Sequence, residues 1–396
     1  MQAGWLVILP FRSCERRSKR IGPLYKVQES CSAFELPSRI TPLFIYTSPW
    51  SNMFVLVTGA SGFVGSHVVD HLLDAGHKVR GTSRAGKASR VRDAYKSYGD
   101  QFELVVVDDF ATSDLSGALQ GVDAVIHVAS PLPGATSVEV ILTSAVSGTI
   151  RVMDAIAEAG VNKVIVTSSV SSLFDLDYLW TDRVFGEKDW SSATREDALK
   201  PGVHPLTIYA VSKTLSEKAI RDFETKHPDM DIATIHPSYI YGPAGRGQII
   251  DVPADGTNSF VYELIKPKSS PRPPLPPPQS MLTPTFVHIS DVACAHVLLL
   301  SVPPFPAGEC KRIVLKDGFI HWKDATEYLE KTRPELEHRL YEIPEGYQTE
   351  TCVSFDGSSA ESVLGMKEGE YKGWKETLDD TINDILEREK RLGIVV

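Results

Sequence analysis

The chain has 396 residues, of which 42% are hydrophobic, 23% charged and 9% aromatic; this is a globular composition with room for one large α/β domain and a smaller lobe, and it excludes a disordered or fibrous chain. The formal charge of −10 is uneven, because residues 1–52 carry seven Lys/Arg against three Glu and leave the remainder at −14; an acidic body without a basic, aromatic-interleaved stripe excludes nucleic acid as a partner. Five scattered cysteines (Cys14, Cys31, Cys294, Cys310, Cys352) with no Cys-x-x-Cys pair exclude a disulfide framework or structural zinc, so no metal is expected and a cytoplasmic location is.

At the start of the chain, the apolar run Trp5–Phe11 precedes the basic cluster Arg12–Arg20, the reverse of a secretory signal. A mitochondrial presequence is the alternative to a poorly ordered extension over residues 1–52. Neither Trp5–Phe11 nor Val297–Leu300 approaches the roughly 20 residues that cross a bilayer, so no membrane partner is expected. From Met53, short β-branched runs read as strands over Phe54–Val57, Lys78–Thr82, Glu103–Val107, Ala124–Val128 and Lys163–Thr167. They are apolar on both faces and alternate with helical spacing over Val64–Ala75, Ser89–Tyr98, Leu115–Leu119, Val138–Ala159 and Tyr209–Lys226. Such alternation predicts a doubly wound parallel sheet covered by helices. Residues 53–240 are expected to form this dinucleotide-binding domain and residues 241–396 mainly a substrate-side lobe. Pro267–Pro284, with eight prolines in eighteen residues, predicts an extended loop or spacer. Arg272 followed three positions later by Leu275 departs from the spacing of an SH3-type ligand. Trp322–Gly393 reads as mainly helical, with Glu376–Arg391 amphipathic.

Between the first strand and first helix stand Gly59, Gly62 and Gly65, within Val55-Leu-Val-Thr-Gly-Ala-Ser-Gly-Phe-Val-Gly65. Gly59 suits the tight turn, Gly62 admits a pyrophosphate to the backbone, and Gly65 permits close helix–sheet packing, with the helix N-terminus facing the phosphates. At the end of the second strand, where a carboxylate would accept from a ribose 2′-OH, the chain reads Gly81-Thr-Ser-Arg84. Arg84, with Lys87 and Arg90 nearby, suits a 2′-phosphate and therefore NADP(H); the competing explanation is a set of cations on an exposed helix start. Asp109 is placed to approach an adenine or merely to cap a turn.

Reducing a carbonyl by hydride requires an acid for the emerging alkoxide, and Tyr209 with Lys213 has the i,i+4 spacing for it. A neighbouring ammonium is expected to lower the phenol pKa toward working pH. Tyr262–Lys266 and Tyr371–Lys375 share the spacing, so position selects Tyr209: it lies forty residues beyond the strand-terminal Thr167-Ser168-Ser169. Ser169, with Ser168 as competitor, could hydrogen-bond a substrate carbonyl; either serine could instead satisfy backbone groups at the strand end.

On these motifs, and on His127-Val-Ala-Ser-Pro131, Ala145-Val-Ser-Gly-Thr149, Glu187-Lys-Asp-Trp190, His236-Pro-Ser-Tyr-Ile-Tyr-Gly-Pro243 and Phe286–Asp291, residues 53–393 resemble the extended short-chain dehydrogenases/reductases. The resemblance is to the dihydroflavonol-reductase-like branch with its fungal aldehyde and ketone reductases. It implies hydride transfer from NADPH to a small-molecule carbonyl substrate by a monomer or homodimer, with Ser169, Tyr209 and Lys213 as the catalytic group. The cofactor-binding set it implies, together with the readings above, is Gly59, Ser61, Gly62, Phe63, Val64, Gly65, Arg84, Lys87, Asp109, Val128, Ala129, Ser130, Tyr209, Lys213, Pro237, Ser238 and Tyr239. Candidate pocket walls are Pro131, Val170, Phe174, Tyr178, Tyr239 and Tyr262. The alternatives are an NAD-dependent sugar-nucleotide epimerase or dehydratase and a non-catalytic NADP-sensing regulator. The first 52 residues and the proline-rich stretch have no counterpart in the family pattern.

Overall fold

The computed structural model describes residues 52–130, 137–268, 270–280, 284–306 and 309–394. The extension expected before Met53, apart from Asn52, and the Pro131 pocket wall lie outside the described residues.

The first half follows the expected alternation: β1 (Phe54–Thr58), α1 (Phe63–Asp74), β2 (Lys78–Ser83), α2 (Ala85–Ala94), β3 (Phe102–Val106), α3 (Ser116–Leu119), β4 (Ala124–His127), α4 (Val138–Glu158) and β5 (Lys163–Thr167). The helix expected at Ser89 begins four residues earlier, so Arg84 is its N-cap. After β5 come β6 (Val184–Phe185), α5 (Arg195–Ala198), α6 (Pro205–Lys226), β7 (Asp231–Pro237), β8 (Tyr239–Tyr241) and α7 (Asn258–Ile265). The rest is β9 (Thr285–His288), α8 (Ile289–Ser301), β10 (Lys311–Leu315), β11 (Gly318–Phe319), α9 (Trp322–Thr332), β12 (Ser354–Phe355), α10 (Ser358–Leu364) and α11 (Trp374–Arg391).

Seven parallel strands form the main sheet in the order β10-β7-β5-β4-β1-β2-β3. The order reverses between β1 and β4, which pair Val55 with Ala124 and Thr58 with His127. Ligands of open α/β sheets bind beyond the strand C-termini at such a reversal. Val55 and Val57 on one face and Leu56 on the other are all buried, since each face is covered by helices. Residues such as Val69, Leu72 and Leu299 pack one layer, and Met153, Ile156 and Phe223 the other. Each fully buried side chain of this kind contributes roughly 1.5–3 kcal/mol.

Two strands of this sheet, β7 and the edge strand β10, are not among those expected from the sequence. β7 begins with Asp231 and β10 with Lys311-Arg312, yet these ions are buried: Lys163 Nζ and Lys311 Nζ both pair with Asp231, the former at 2.7 Å, and Arg312 Nε donates to Glu217 at 2.8 Å. Charge pairing replaces apolar burial there. α4 is long and apolar enough to cross a membrane by length and composition, with a mean hydropathy of 1.4. Leu142, Ala145, Val152, Met153 and Ile156 are among its buried residues.

The proline-rich stretch is a packed strap rather than a free spacer. Leu275 N donates to Glu342 O at 2.8 Å, Glu342 N to Pro273 O at 2.9 Å, and Tyr347 Oη to Pro276 O at 2.6 Å, while Leu275 is buried. One short helical turn, Pro278–Ser280, interrupts the extended course expected of it. Tyr241, Val261, Leu264, Phe286, Trp322 and Leu378 belong to a separate apolar cluster that α7, α9 and α11 share with β8 and β9.

Candidate active site

At the β1/β4 reversal opens a cavity of about 800 Å³ that reaches from the glycine turn to β7 and α7. The turn is built for close approach. Gly59 has φ 73°, a conformation that favours glycine. A Cβ on Gly65 would stand 2.2 Å from the Gly59 carbonyl oxygen, so only glycine lets α1 start this near the strand. Gly62 is the N-cap of α1 and has no side chain to occupy the helix N-terminus. Thr58 Oγ1 accepts from the N–H groups of both Val128 and Ala129 at 3.0 Å, tying the β1 and β4 ends together beneath the cleft.

Apart from Arg90, the residues named for the cofactor line this one cavity: Gly59, Ser61, Gly62, Phe63, Val64 and Gly65 from the turn, Arg84 and Lys87 from the β2 end, and Asp109 after β3. Val128, Ala129 and Ser130 after β4, and Pro237, Ser238 and Tyr239 after β7, complete the set. Lys87 Nζ donates to Ile249 O at 3.1 Å. Arg90 turns away to a bidentate pair with Asp251 at 2.7 and 2.8 Å and does not line the cleft, correcting its grouping with Arg84. Asp109 caps its turn, accepting from Ala111 N at 2.9 Å and Thr112 Oγ1 at 3.1 Å, while also lining the cleft.

Four side-chain oxygens on the cleft wall, Ser171 Oγ, Ser238 Oγ, Gln248 Oε1 and Thr285 Oγ1, are buried without a hydrogen-bond partner among the described residues. Buried polar atoms without partners are costly, so a wall of them fits a polar ligand. With the glycine turn and the two cations at the β2 end, the residues present fit a dinucleotide phosphate.

Ser169, Tyr209 and Lys213 meet at the other end of the cavity. α6 begins one turn earlier than expected, with Pro205 in its first turn and His204 capping Leu206 N at 3.2 Å, so Tyr209 lies inside the helix rather than at its start. Ser169 lies two residues beyond β5, and its hydroxyl accepts from Ser171 N at 3.2 Å and is close enough to the Tyr209 phenol to lower its pKa. Ser168 donates instead to Glu217 Oε2 at 3.0 Å, which leaves Ser169 as the serine engaged with the tyrosine.

Lys213 Nζ lies 5.9 Å from the Tyr209 ring centre and donates to Thr167 O at 3.3 Å. Burial pushes the Tyr209 phenol up, with the Ser169 hydroxyl opposing it. The expected lowering by Lys213 is not found: burial outweighs the Ser169 hydroxyl, and the ammonium is directed to the strand-end carbonyl. Lys213 itself is brought down to about 8 by burial, against the attraction of Glu217.

The rival pairs are elsewhere. Tyr262 belongs to the α7 cluster and Lys266 pairs with Glu263 at 2.5 Å, whereas Tyr371 packs beside Asp291 and Lys375 stands by Trp374. Of the proposed walls, Val170, Phe174 and Tyr239 line the cavity. Tyr178 does not: it packs on Phe185 with Arg183 over its ring, and Tyr262 is likewise outside. Reasoning from sequence missed Asp108, Phe110, Leu206, Gln248, Ile249 and Phe260 on the wall, and the buried Glu217 behind it. Glu217 could have been found from its row, since 209, 213 and 217 share one helix face.

Residues 55–308 match the NAD dependent epimerase/dehydratase family. The chain is 30% identical over 354 residues to the ketoreductase azaE of Aspergillus niger, covering 84% of this chain and 98% of that one. It is 27% identical over 363 residues to the NADPH-dependent methylglyoxal reductase GRE2 of Saccharomyces cerevisiae, covering 86% and 100%. Among solved structures, the yeast methylglyoxal/isovaleraldehyde reductase Gre2 complexed with NADPH superposes with a TM-score of 0.72 at 26% identity, over 86% of this chain and 100% of that one.

Proposed function

This chain belongs to the NAD dependent epimerase/dehydratase family, and from that premise we propose that it reduces a small aldehyde or ketone to the alcohol with NADPH. The observation that carries the reading is one cavity holding the glycine turn and Arg84 at one end and Ser169, Tyr209 and Lys213 at the other. When bound, NADPH supplies the hydride. Gly59, Gly62 and Gly65 admit its pyrophosphate to the backbone at the start of α1, and Arg84 with Lys87 holds the 2′-phosphate by charge-assisted hydrogen bonds.

On the substrate side, the Ser169 hydroxyl donates to the carbonyl oxygen and polarises it. Tyr209 keeps its proton because burial holds the phenol above its ordinary range, and it delivers that proton to the emerging alkoxide oxygen. Lys213 binds the nicotinamide ribose and restores the phenol proton from its side of the helix. A Thr-Ser-Arg sequence in place of a carboxylate at the β2 end supports this reading over an NAD-dependent epimerase or dehydratase.

Purified protein with NADPH and a panel of aldehydes and diketones is expected to consume the reduced-nicotinamide absorbance, and Tyr209→Phe to cut kcat by roughly 10²–10⁴-fold while NADPH still binds. A kcat for Tyr209→Phe within about tenfold of the wild type would refute the assignment of the acid.

A further inference from the structure

One turn behind Lys213 on α6, Glu217 is 1% exposed, a carboxylate taken wholly out of water. Its two oxygens gather four groups, from the segment after β5, from β7 and from β10. Oε2 accepts from Ser168 at 3.0 Å and Ser172 at 2.6 Å; Oε1 accepts from Arg312 Nε at 2.8 Å and lies 3.1 Å from His236 Nε2. His236 reaches back with Nδ1 to the Ser169 carbonyl at 3.2 Å. Arg312 is itself fixed, donating to the carbonyls of Glu187 and Asp189 at 2.5 and 2.7 Å with its guanidinium 3.9 Å from the Trp190 ring centre. The Glu-Lys-Asp-Trp motif is thus the outer clamp of a chain of contacts that ends under Ser169.

This expenditure of buried polar groups has no substrate to touch, because Glu217 is not on the cavity wall. Its row on the helix does point somewhere. Residues at i and i+4 face the same way about 5–6 Å apart, and Lys213 occupies that neighbouring position. We propose that Glu217 is a positioning residue that keeps Lys213 in its charged form from behind the site, with Arg312 and the 187–190 segment holding the carboxylate in place. The assignment of Lys213 to the reaction rests on the reading above; the electrostatic role of Glu217 toward it does not.

The groups facing the Lys213 ammonium are few. Tyr209 precedes it on α6, His127 approaches from the end of β4, and Glu217 follows it; behind Glu217 stand His236 from β7 and Arg312 from β10. Of these, Glu217 is the group that favours the protonated amine, against a burial that drives the proton off. Burial alone would also neutralise the carboxyl, but His236 and Arg312 hold it well below the ordinary carboxylate range. The carboxylate therefore keeps its charge wherever Lys213 titrates.

The test reads Lys213 directly in the full-length chain. Pulse acetylation with acetic anhydride between pH 6 and 11, followed by peptide mass spectrometry, reports the pH at which the amine becomes reactive. In Glu217→Gln the midpoint is expected to fall by about one pH unit or more, the effect of losing an opposite charge nearby. That variant strands Arg312 as an unpaired buried cation, which can abolish folding; Glu217→Gln/Arg312→Gln leaves neither charge, and it should show a downward shift smaller than the single variant's, because the repulsion of Arg312 is lost with the attraction of Glu217, together with a cooperative melt. Glu217→Asp, which retains the carboxylate, should stay near the wild-type midpoint. A midpoint unchanged or raised in the folded double variant overturns the proposal.

Turnover separates the two readings. With a carbonyl the wild type reduces, the alkaline limb of kcat should move down with the labelling midpoint while the KM for NADPH stays within about twofold; a purely structural role would instead lower kcat equally at every pH. A wild type that reduces no carbonyl would defeat the functional reading and leave the labelling result to decide the role of Glu217.

Discussion

At the dinucleotide end of the cleft, Gly59, Gly62 and Gly65 clear side chains away so that backbone can meet a ligand, and the charged groups Arg84 and Lys87 are exposed to solvent. At the carbonyl end, Ser169 and Lys213 are buried, and behind them lies a closed set of ions and hydroxyls centred on Glu217. The first end costs little to build, because exposed cations keep their water and glycine needs no partner. The second takes charge out of water and must pair the ions it buries. A site of the first kind can bind; one of the second kind can hold protonation states away from their ordinary values, which proton transfer requires.

The sharpest way to break the comparison is steric. Gly65→Ala places a methyl 2.2 Å from the Gly59 carbonyl oxygen and 2.7 Å from its carbon, both backbone atoms without room to yield. We expect a loss of about 1–3 kcal/mol in stability and disappearance of the thermal shift that NADPH induces; a variant that binds NADPH normally would show that the turn is not the phosphate cradle.

A second effect of similar size concerns the buried end and carries the opposite sign. Lys213 releases its proton at about 8 in the fold against 10.5 in a model lysine, so the unfolded chain binds that proton more tightly and burying it destabilises the fold at neutral pH. Because the depressed group binds fewer protons when folded, stability should rise between about pH 8 and the ordinary lysine range. Lys213→Met should therefore stabilise the apo chain at pH 7, by on the order of 3 kcal/mol at most, while destroying turnover, and its advantage should shrink above pH 8. Chemical denaturation across pH measures this; a destabilised Lys213→Met would mean that the lysine is held by more than its charge.

Smaller again, Arg84→Ala should raise the KM for NADPH by about 10–100-fold, the value of one or two charge-assisted hydrogen bonds, and leave that for NADH within about twofold. Equal changes for both cofactors would remove Arg84 from the 2′-phosphate.

The same contrast governs what was legible in the sequence. Five strands, the glycine turn and the Tyr209–Lys213 pair are local patterns, and each fell where its spacing required. β7 and β10 escaped because Asp231, Lys311 and Arg312 look like surface residues until the fold pairs them with Lys163 and Glu217. The start of α2 was placed four residues late, at Ser89, because the partner that begins it is distant in the chain: Asp108 Oδ1 accepts from Ala85 N at 2.8 Å. Tyr178 and Tyr262 were named as pocket walls from their positions after strands, yet aromatic neighbours claimed them for cores. Chain-distant partners decide such cases, and spacing cannot reveal them.

The measurement that tests the central claim most directly follows the hydride itself. Wild-type protein is incubated with a diketone and, separately, with NADPH deuterated on each face of the nicotinamide C4, and the product alcohol is weighed by mass spectrometry. The account predicts one deuterium in the alcohol from one of the two labelled cofactors and none from the other, with labelled product from Tyr209→Phe forming at least about a hundredfold more slowly; an unlabelled product, or no reduction of any carbonyl in the panel, would contradict it.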